Sequence, residues 1–135
     1  MVVVMEPSHA LAGRRYIRPQ DFAGERLFLG ASSAEDSTLI QKVLIPAGVV
    51  PRQASYVQLT EAIVEMVKGG LGISFLARWA IQPHIRAGTL VGLPLSRRGY
   101  MRHWHAAMIR SKSAPPYILE FAKLLAEHPI SADGL

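Results

Sequence analysis

Several groups of residues carry side chains able to do chemistry, and their spacing decides what each can do. His103-Trp104-His105 would place two imidazoles on one face of a strand, a spacing a zinc site can use, but no acidic or third histidine partner stands nearby in sequence. No metal is expected. Ser32, Ser33 and Ser37, with His9 and with Glu35 or Asp36, supply the groups of a nucleophile system, yet no nucleophile-elbow pattern accompanies them. Serines in turns and at helix starts act as caps. Gly69-Gly70-Leu71-Gly72 ends a predicted helix and precedes a strand, the reverse of the order that aims amides at a phosphate, so it reads as a tight helix-to-strand turn. Nothing here supplies a catalytic group, and the expectation is a protein that is not an enzyme and takes no cofactor. What remains is a binding edge. Ser32-Ser33 and Gln58-Leu59-Thr60 each follow a predicted strand and start a helix, so both bring hydroxyls and unpaired amides to one edge of a sheet, where a carboxylate would suit. Capping explains the same residues.

The elements that must position this edge centre on residues 59–76. Leu59, Ile63, Met66 and Val67 fall on one helical face, with Glu61, Glu65 and Lys68 opposite; Thr60 is the expected N-cap, and Gly69 and Gly70 supply left-handed conformations at the end. Ile73-Ser74-Phe75-Leu76 is short, apolar and rich in strand formers, and residues 52–57 form a strand before the helix. Strand, helix, glycine turn and strand make a βαβ unit, whose helix starts at the carboxyl edge of the sheet, where open α/β folds bind ligands. Before it stand strands at Val2–Met5 and Arg26–Leu29, a loop over Arg18–Phe22 that enters one helical turn, and a helix over Ser37–Leu44 that ends before Pro46-Ala47-Gly48. After it come a helical turn from Arg78, interrupted or reshaped at Pro83 and closing at Gly88, and a strand over Leu90–Leu95 whose Pro94 marks an edge. Arg102–Ile109 alternates like a strand, and Pro115-Pro116 opens a last helix, Tyr117–Glu127, with Ile118, Phe121, Leu124 and Leu125 at core spacing.

A chain of 135 residues with 50% hydrophobic residues is one ordinary globular domain. It has no cysteine, which removes disulfides and thiolate chemistry. No apolar run approaches a membrane span, and the start lacks the basic region of an export signal, so a cytoplasmic protein is expected. The net charge of +5 raises the question of nucleic acid. Arg14-Arg15 with Arg18, and Arg97-Arg98 with Arg102, are the dense basic spots, but no helix carries a basic stripe and no helix-turn-helix pattern is visible, so they read as solvated surface. The β-branched strand at the very N-terminus needs neighbours on both sides, which suggests that preceding sequence is missing.

Leu44-Ile45-Pro46-Ala47-Gly48-Val49-Val50-Pro51, then Leu59 to Trp79 with Glu65-Met66-Val67, Gly70-Leu71-Gly72-Ile73 and Leu76-Ala77-Arg78-Trp79, resembles the effector-binding domain of LysR-type transcriptional regulators. Within that family it is similar to the methionine-biosynthesis regulators that sense homocysteine. His9-Ala10-Leu11-Ala12 and Gly88-Thr89-Leu90-Val91 extend the resemblance over essentially the whole chain. The resemblance implies an α/β fold like that of type 2 periplasmic binding proteins, in which two lobes joined by two crossover strands hold an effector between them. Carried over, residues 1–8 would be the first crossover strand and hinge, 9–99 the second lobe, and 100–135 the return crossover and the C-terminal helix of the first lobe. The rest of that lobe and the DNA-binding domain would be absent.

By the same resemblance, the cleft-facing positions are Ala31, Ser32 and Ser33, then Gln58, Leu59 and Thr60, then Ala77 and Arg78, with Arg78 able to pair with an effector carboxylate. The family commonly has proline where this chain has Ala77. The implied partners are a carboxylate-bearing small molecule, homocysteine or a related amino acid, a second copy of the chain, and DNA only through the absent N-terminal domain. A solute-binding fragment of a transport system would share the fold but would need an export signal. An enzyme on the same scaffold would need an acid or base in the cleft, for which Glu6 and His9 are the candidates.

Overall fold

The computed structural model describes residues 1–103, 105, 107 and 115–128. It divides into two compact units, Met1–Met101 and Arg102–Leu135. The first holds a mixed sheet of five strands, β1 (Val2–Met5), β2 (Arg26–Leu29), β3 (Gln53–Tyr56), β4 (Ile73–Leu76) and β5 (Val91–Pro94), in the order β3-β2-β4-β1-β5. β2 runs parallel to β3 and to β4, whereas β1 is antiparallel to β4 and β5. The expected βαβ unit is present: α1 (Thr60–Lys68) carries the chain from β3 to β4, passing over β2, which lies between them.

Side chains alternate along each strand, and both faces of the sheet are covered. Val3, Met5, Leu27, Leu29, Ile73 and Phe75 point to one face, where they pack with Phe22, Leu39 and Leu44 from the connections on either side of β2. Val2, Val4, Phe28 and Leu76 point to the other, under Ile63, Val64 and Val67 of α1 and Ile81 of α2 (Arg78–Arg86). Because every residue of β1 and β4 is buried, both strands read as continuous apolar runs, interrupted only by Ser74. Its hydroxyl is fully buried and donates to the Phe28 carbonyl at 2.7 Å, so the polar group is satisfied inside the core.

Close backbone approach explains two glycines. A Cβ at Gly72 would collide with the Arg26 carbonyl oxygen, and one at Gly92 would lie 2.8 Å from Ile85 Cδ1, in the seam between β5 and α2. Where α1 ends, the Leu71 amide bonds to the Met66 carbonyl and the Gly70 amide to Val67, with Gly70 at φ +69. That is the two-bond glycine stop expected here, although Gly70 alone is left-handed; Gly69 sits at φ −74.

Other expectations shift in detail. Thr60 is the first residue of α1 rather than its cap, because Leu59 holds the extended N-cap conformation. The helix after β2 widens over Ile40–Leu44 into turns closed by i to i+5 bonds, as in Ile45 N–H to Ile40 O at 2.9 Å. Buried Ser37 precedes it and caps it, its hydroxyl accepting from the Ile40 amide. α2 runs unbroken through Pro83, with the Ala87 amide bonded to the Pro83 carbonyl. Pro94 does mark an edge strand: Ile17 pairs beyond β5 by donating to the Pro94 carbonyl and accepting from Ser96, so no amide is asked of the proline.

In the second unit, α3 (Pro116–Glu127) begins at the predicted proline pair. Phe121, Leu124 and Leu125, expected in a core, are instead exposed, because helical periodicity specifies an apolar face without specifying what covers it. Of the strand expected over 102–109, residues 104, 106, 108 and 109 lie outside the described residues, and residues 102, 103, 105 and 107 belong to no strand.

Candidate functional site

The carboxyl ends of β2, β3 and β4 open on one edge of the sheet, and the three segments singled out from sequence leave from it. Ala31, Ser32 and Ser33 follow β2; Gln58, Leu59 and Thr60 join β3 to α1; Ala77 and Arg78 join β4 to α2. The first two are tied together directly, since Gln58 Nε2 donates to Ser32 Oγ at 3.2 Å across 26 residues of chain. The Val57 amide, bonded to the Leu29 carbonyl at 2.9 Å, prolongs the β2–β3 pairing up to this point.

Ser33 is engaged differently. Its hydroxyl donates to Asp36 Oδ2 at 3.2 Å and accepts from the Asp36 amide, closing a local turn. Glu35, in that turn, is held below the ordinary carboxylate range first by its own backbone amide and then by the Ser33 hydroxyl. Ser33 therefore stabilises acidic groups beside the edge, and its hydroxyl reaches a ligand only by exchanging those bonds.

Both helices that start here lack side-chain caps. Leu59 precedes α1 at φ −94, ψ 111, and Ala77 precedes α2 at φ −65, ψ 131, neither with a side-chain hydrogen bond to the first turn. Leucine and alanine are poor N-caps, costing about 1 kcal/mol relative to serine or aspartate. The Ala77 backbone also has the φ that a proline would impose, so alanine there preserves the same local path. α1 has Glu61 in its first turn, but α2 has no acid, and its first residue is the exposed cation Arg78. A guanidinium at the positive end of a helix dipole is unfavourable unless an anion sits between them.

The opposite flank of this corner comes from residues the spacing analysis did not single out. The register Val2↔Leu76 brings the start of β1 alongside Ala77 and Arg78. The Met1 ammonium donates to the Tyr100 carbonyl at 3.0 Å, and its pKa is lowered by burial and by the neighbouring Arg78 charge. The Tyr100 ring packs edge-on against Phe75 with centroids 5.5 Å apart. Tyr100 lies far from β4 in sequence and outside any periodic pattern, so only the closure of the sheet brings it here.

His9 and Glu6, the nominated acid and base, lie elsewhere. They follow β1, whose antiparallel course ends at the opposite edge of the sheet. His9 Nδ1 accepts from the Leu11 amide and its Nε2 donates to Glu25 at 3.2 Å, while Glu6 accepts from the Ser8 hydroxyl at 2.6 Å. Both are structural ties within loops. Among the described residues no three histidines or carboxylates come together as a metal site. What the predicted edge offers among the described residues is amides, a guanidinium and hydroxyls, a set of donors whose chemistry suits an anion.

The family model for the LysR substrate binding domain matches residues 1–129. The chain is similar to the HTH-type transcriptional regulator MetR of Escherichia coli strain K12, 29% identical over 126 residues, covering 93% of this chain and 39% of the relative. The chain thus spans about two-fifths of the length of such relatives. The regulatory domain of NMB2055 (MetR), a LysR family regulator from N. meningitidis, superimposes with a TM-score of 0.69 at 31% identity, covering 73% of this chain and 45% of that one. The regulatory domain of CcmR from Synechocystis PCC6803, in complex with 2-PG, gives a TM-score of 0.74 at 21% identity, covering 93% of this chain and 61% of that one.

Proposed function

The chain belongs to the LysR substrate-binding domain family, similar to its MetR members, and from that premise we propose that it is the effector-sensing part of a transcriptional regulator working in the cytoplasm. Residues 1–8 serve as a crossover strand and hinge, 9–99 as one lobe, and 100–135 as the return to the other lobe. The effector is a small carboxylate, homocysteine or a related amino acid. It lies against Ala31, Ser32 and Ser33, the Gln58-Leu59-Thr60 segment, and Ala77 with Arg78.

The observation that carries this reading is the pair of uncapped helix starts, α1 and α2, on one sheet edge, with Arg78 as the first residue of the second. Amides and guanidinium together form a donor set for a carboxylate, each charged hydrogen bond contributing about 1.5–3 kcal/mol. Effector-binding domains of the same fold, those of BenM with benzoate and QuiR with shikimate, hold carboxylates, which favours the same ligand class here. Binding at such an edge closes a second lobe over it and shifts the packing of paired subunits, so that the attached DNA-binding domains engage a promoter differently.

The test is isothermal titration of homocysteine into the polypeptide as it is made in its source cell, with Ser32→Ala, Ser33→Ala, Thr60→Ala and Arg78→Ala beside it. Arg78→Ala is expected to weaken binding by about tenfold or more, and unchanged affinity in all four variants contradicts the assignment.

A further inference from the structure

We propose that Arg14, Arg15, Arg18, Arg97 and Arg98 form one face that docks on the phosphate backbone of double-stranded nucleic acid. Neither stretch of sequence makes such a surface by itself. The fold joins them at the Ile17–Leu95 bridge, where the Ile17 amide bonds to the Pro94 carbonyl at 2.9 Å and the Ser96 amide to the Ile17 carbonyl at 2.8 Å. Arg18 thereby follows directly on a residue bonded to Ser96, which opens the turn carrying Arg97 and Arg98. That turn is closed by the Gly99 amide on the Ser96 carbonyl, with Ser96 at φ 65 and Gly99 at φ 72. A left-handed non-glycine residue is strained and persists where the surroundings enforce it.

Charge and shape both favour an extended polyanion. Residues 13–21 and 95–99 hold five arginines and one acid, Asp21. The Asp21 side chain is only 6% exposed and is occupied by Arg18 at 3.2 Å and Arg14 at 3.8 Å, so the exposed charges of these two segments are of one sign. Gly13, Arg14, Arg15, Tyr16 and Arg18 line an open depression on the first of the two loops. All five arginines are exposed and come from two loops, whereas a single small phosphate would call for donors converging in a buried pocket. A duplex presents one negative charge about every 1.7 Å along its axis, so guanidiniums spread over two loops can each meet a phosphate. This inference does not depend on the effector edge.

The experiment is fluorescence anisotropy of a labelled 30-base-pair duplex of random sequence titrated with the chain at several salt concentrations. Five arginines less the charge of Asp21 leave about four phosphate contacts, for which affinity should fall about 150-fold between about 50 and 200 mM salt. Changing Arg14, Arg15, Arg97 and Arg98 together to alanine leaves the Arg18–Asp21 pair in place and is expected to abolish most of that dependence, with the folded circular dichroism spectrum retained. Lys42→Ala with Arg52→Ala, exposed residues outside this face, should leave binding close to wild type. Equal binding by the four-arginine variant and the wild type overturns the proposal, as does an absence of duplex binding. Displacement by inorganic phosphate well beyond that by chloride at the same ionic strength also overturns it, in favour of a single-phosphate site.

Discussion

If the amides at the start of α1 are free to receive an effector, then supplying them with a cap should raise stability and lower affinity at once. Leu59 is the position to change: it has the extended backbone of an N-cap, makes no side-chain bond to the first turn, and is 61% exposed, so replacing it removes little buried surface. Leu59→Ser would place a hydroxyl within reach of the Glu61 or Ala62 amide and should stabilise the Met1–Met101 unit by about 1 kcal/mol. For a unit of this size that corresponds to a rise of about 4–8 °C in the midpoint of a thermal melt followed by circular dichroism. The same hydroxyl competes with the effector for an amide, and losing one charged hydrogen bond should weaken homocysteine binding by about tenfold or more by isothermal titration. A melt that does not rise refutes the claim that the helix start is uncapped. A melt that rises while affinity stays unchanged refutes the claim that the effector uses those amides.

Three further outcomes follow from packing and charge. Gly72→Ala should destabilise by about 3 kcal/mol or more in urea unfolding, because its Cβ meets the rigid Arg26 carbonyl, whereas Gly92→Ala should cost about 1–2 kcal/mol, because Ile85 can turn aside. Ser74→Ala deletes the buried donor to the Phe28 carbonyl and should cost about 1–2 kcal/mol by the same measure, and Ser74→Val more if the strand cannot admit the added volume. Burial of Asp21 opposes its ionisation, but the Arg18 side chain, the Arg18 amide and the Arg14 charge outweigh it and hold its pKa below the ordinary 3.8. A folded-state pKa that is lowered contributes stability above the unfolded value and loses it as pH falls through the folded one. Wild type and Asp21→Asn should therefore differ in urea midpoint at about pH 6 and converge at about pH 2.

Much of the fold was legible because its signals are local. β1, β2 and β4 were readable, with their bounds, as short and mostly apolar runs, with Arg26 opening β2 and Ser74 inside β4, since strands buried on both faces need no alternation. The end of α1 was readable from its glycines, and Pro94 from the donor it lacks. Detail failed where long-range packing chose between local options. Thr60 is the better capping residue by type, yet the path from β3 places the cap one residue earlier, at Leu59, and makes Thr60 the first helical residue. Pro83 breaks helices in isolation, yet α2 continues past it, with Ile81 buried against the sheet and the hydrogen bonding resumed at Ala87. The apolar stripe of α3 showed which face wants cover without showing the cover.

At the edge itself, Ser32-Ser33 and Gln58-Leu59-Thr60 followed from strand and helix order, whereas Ala31, Ala77 and Arg78 came only from the family resemblance. The Gln58–Ser32 bond, the involvement of Ser33 with Asp36 and the approach of Tyr100 followed from neither, because each joins residues whose proximity the chain order does not encode. The arginines were visible as two separate doublets, and only the Ile17–Leu95 bridge makes them neighbours.

The most direct test of the effector-sensing account is a backbone amide nuclear magnetic resonance titration of the chain with homocysteine. The account predicts shifts concentrated at residues 31–33, 58–60 and 77–78, with the amides of Thr60 and Arg78 moving most. Shifts absent from these segments, or confined to residues 13–18, would contradict it.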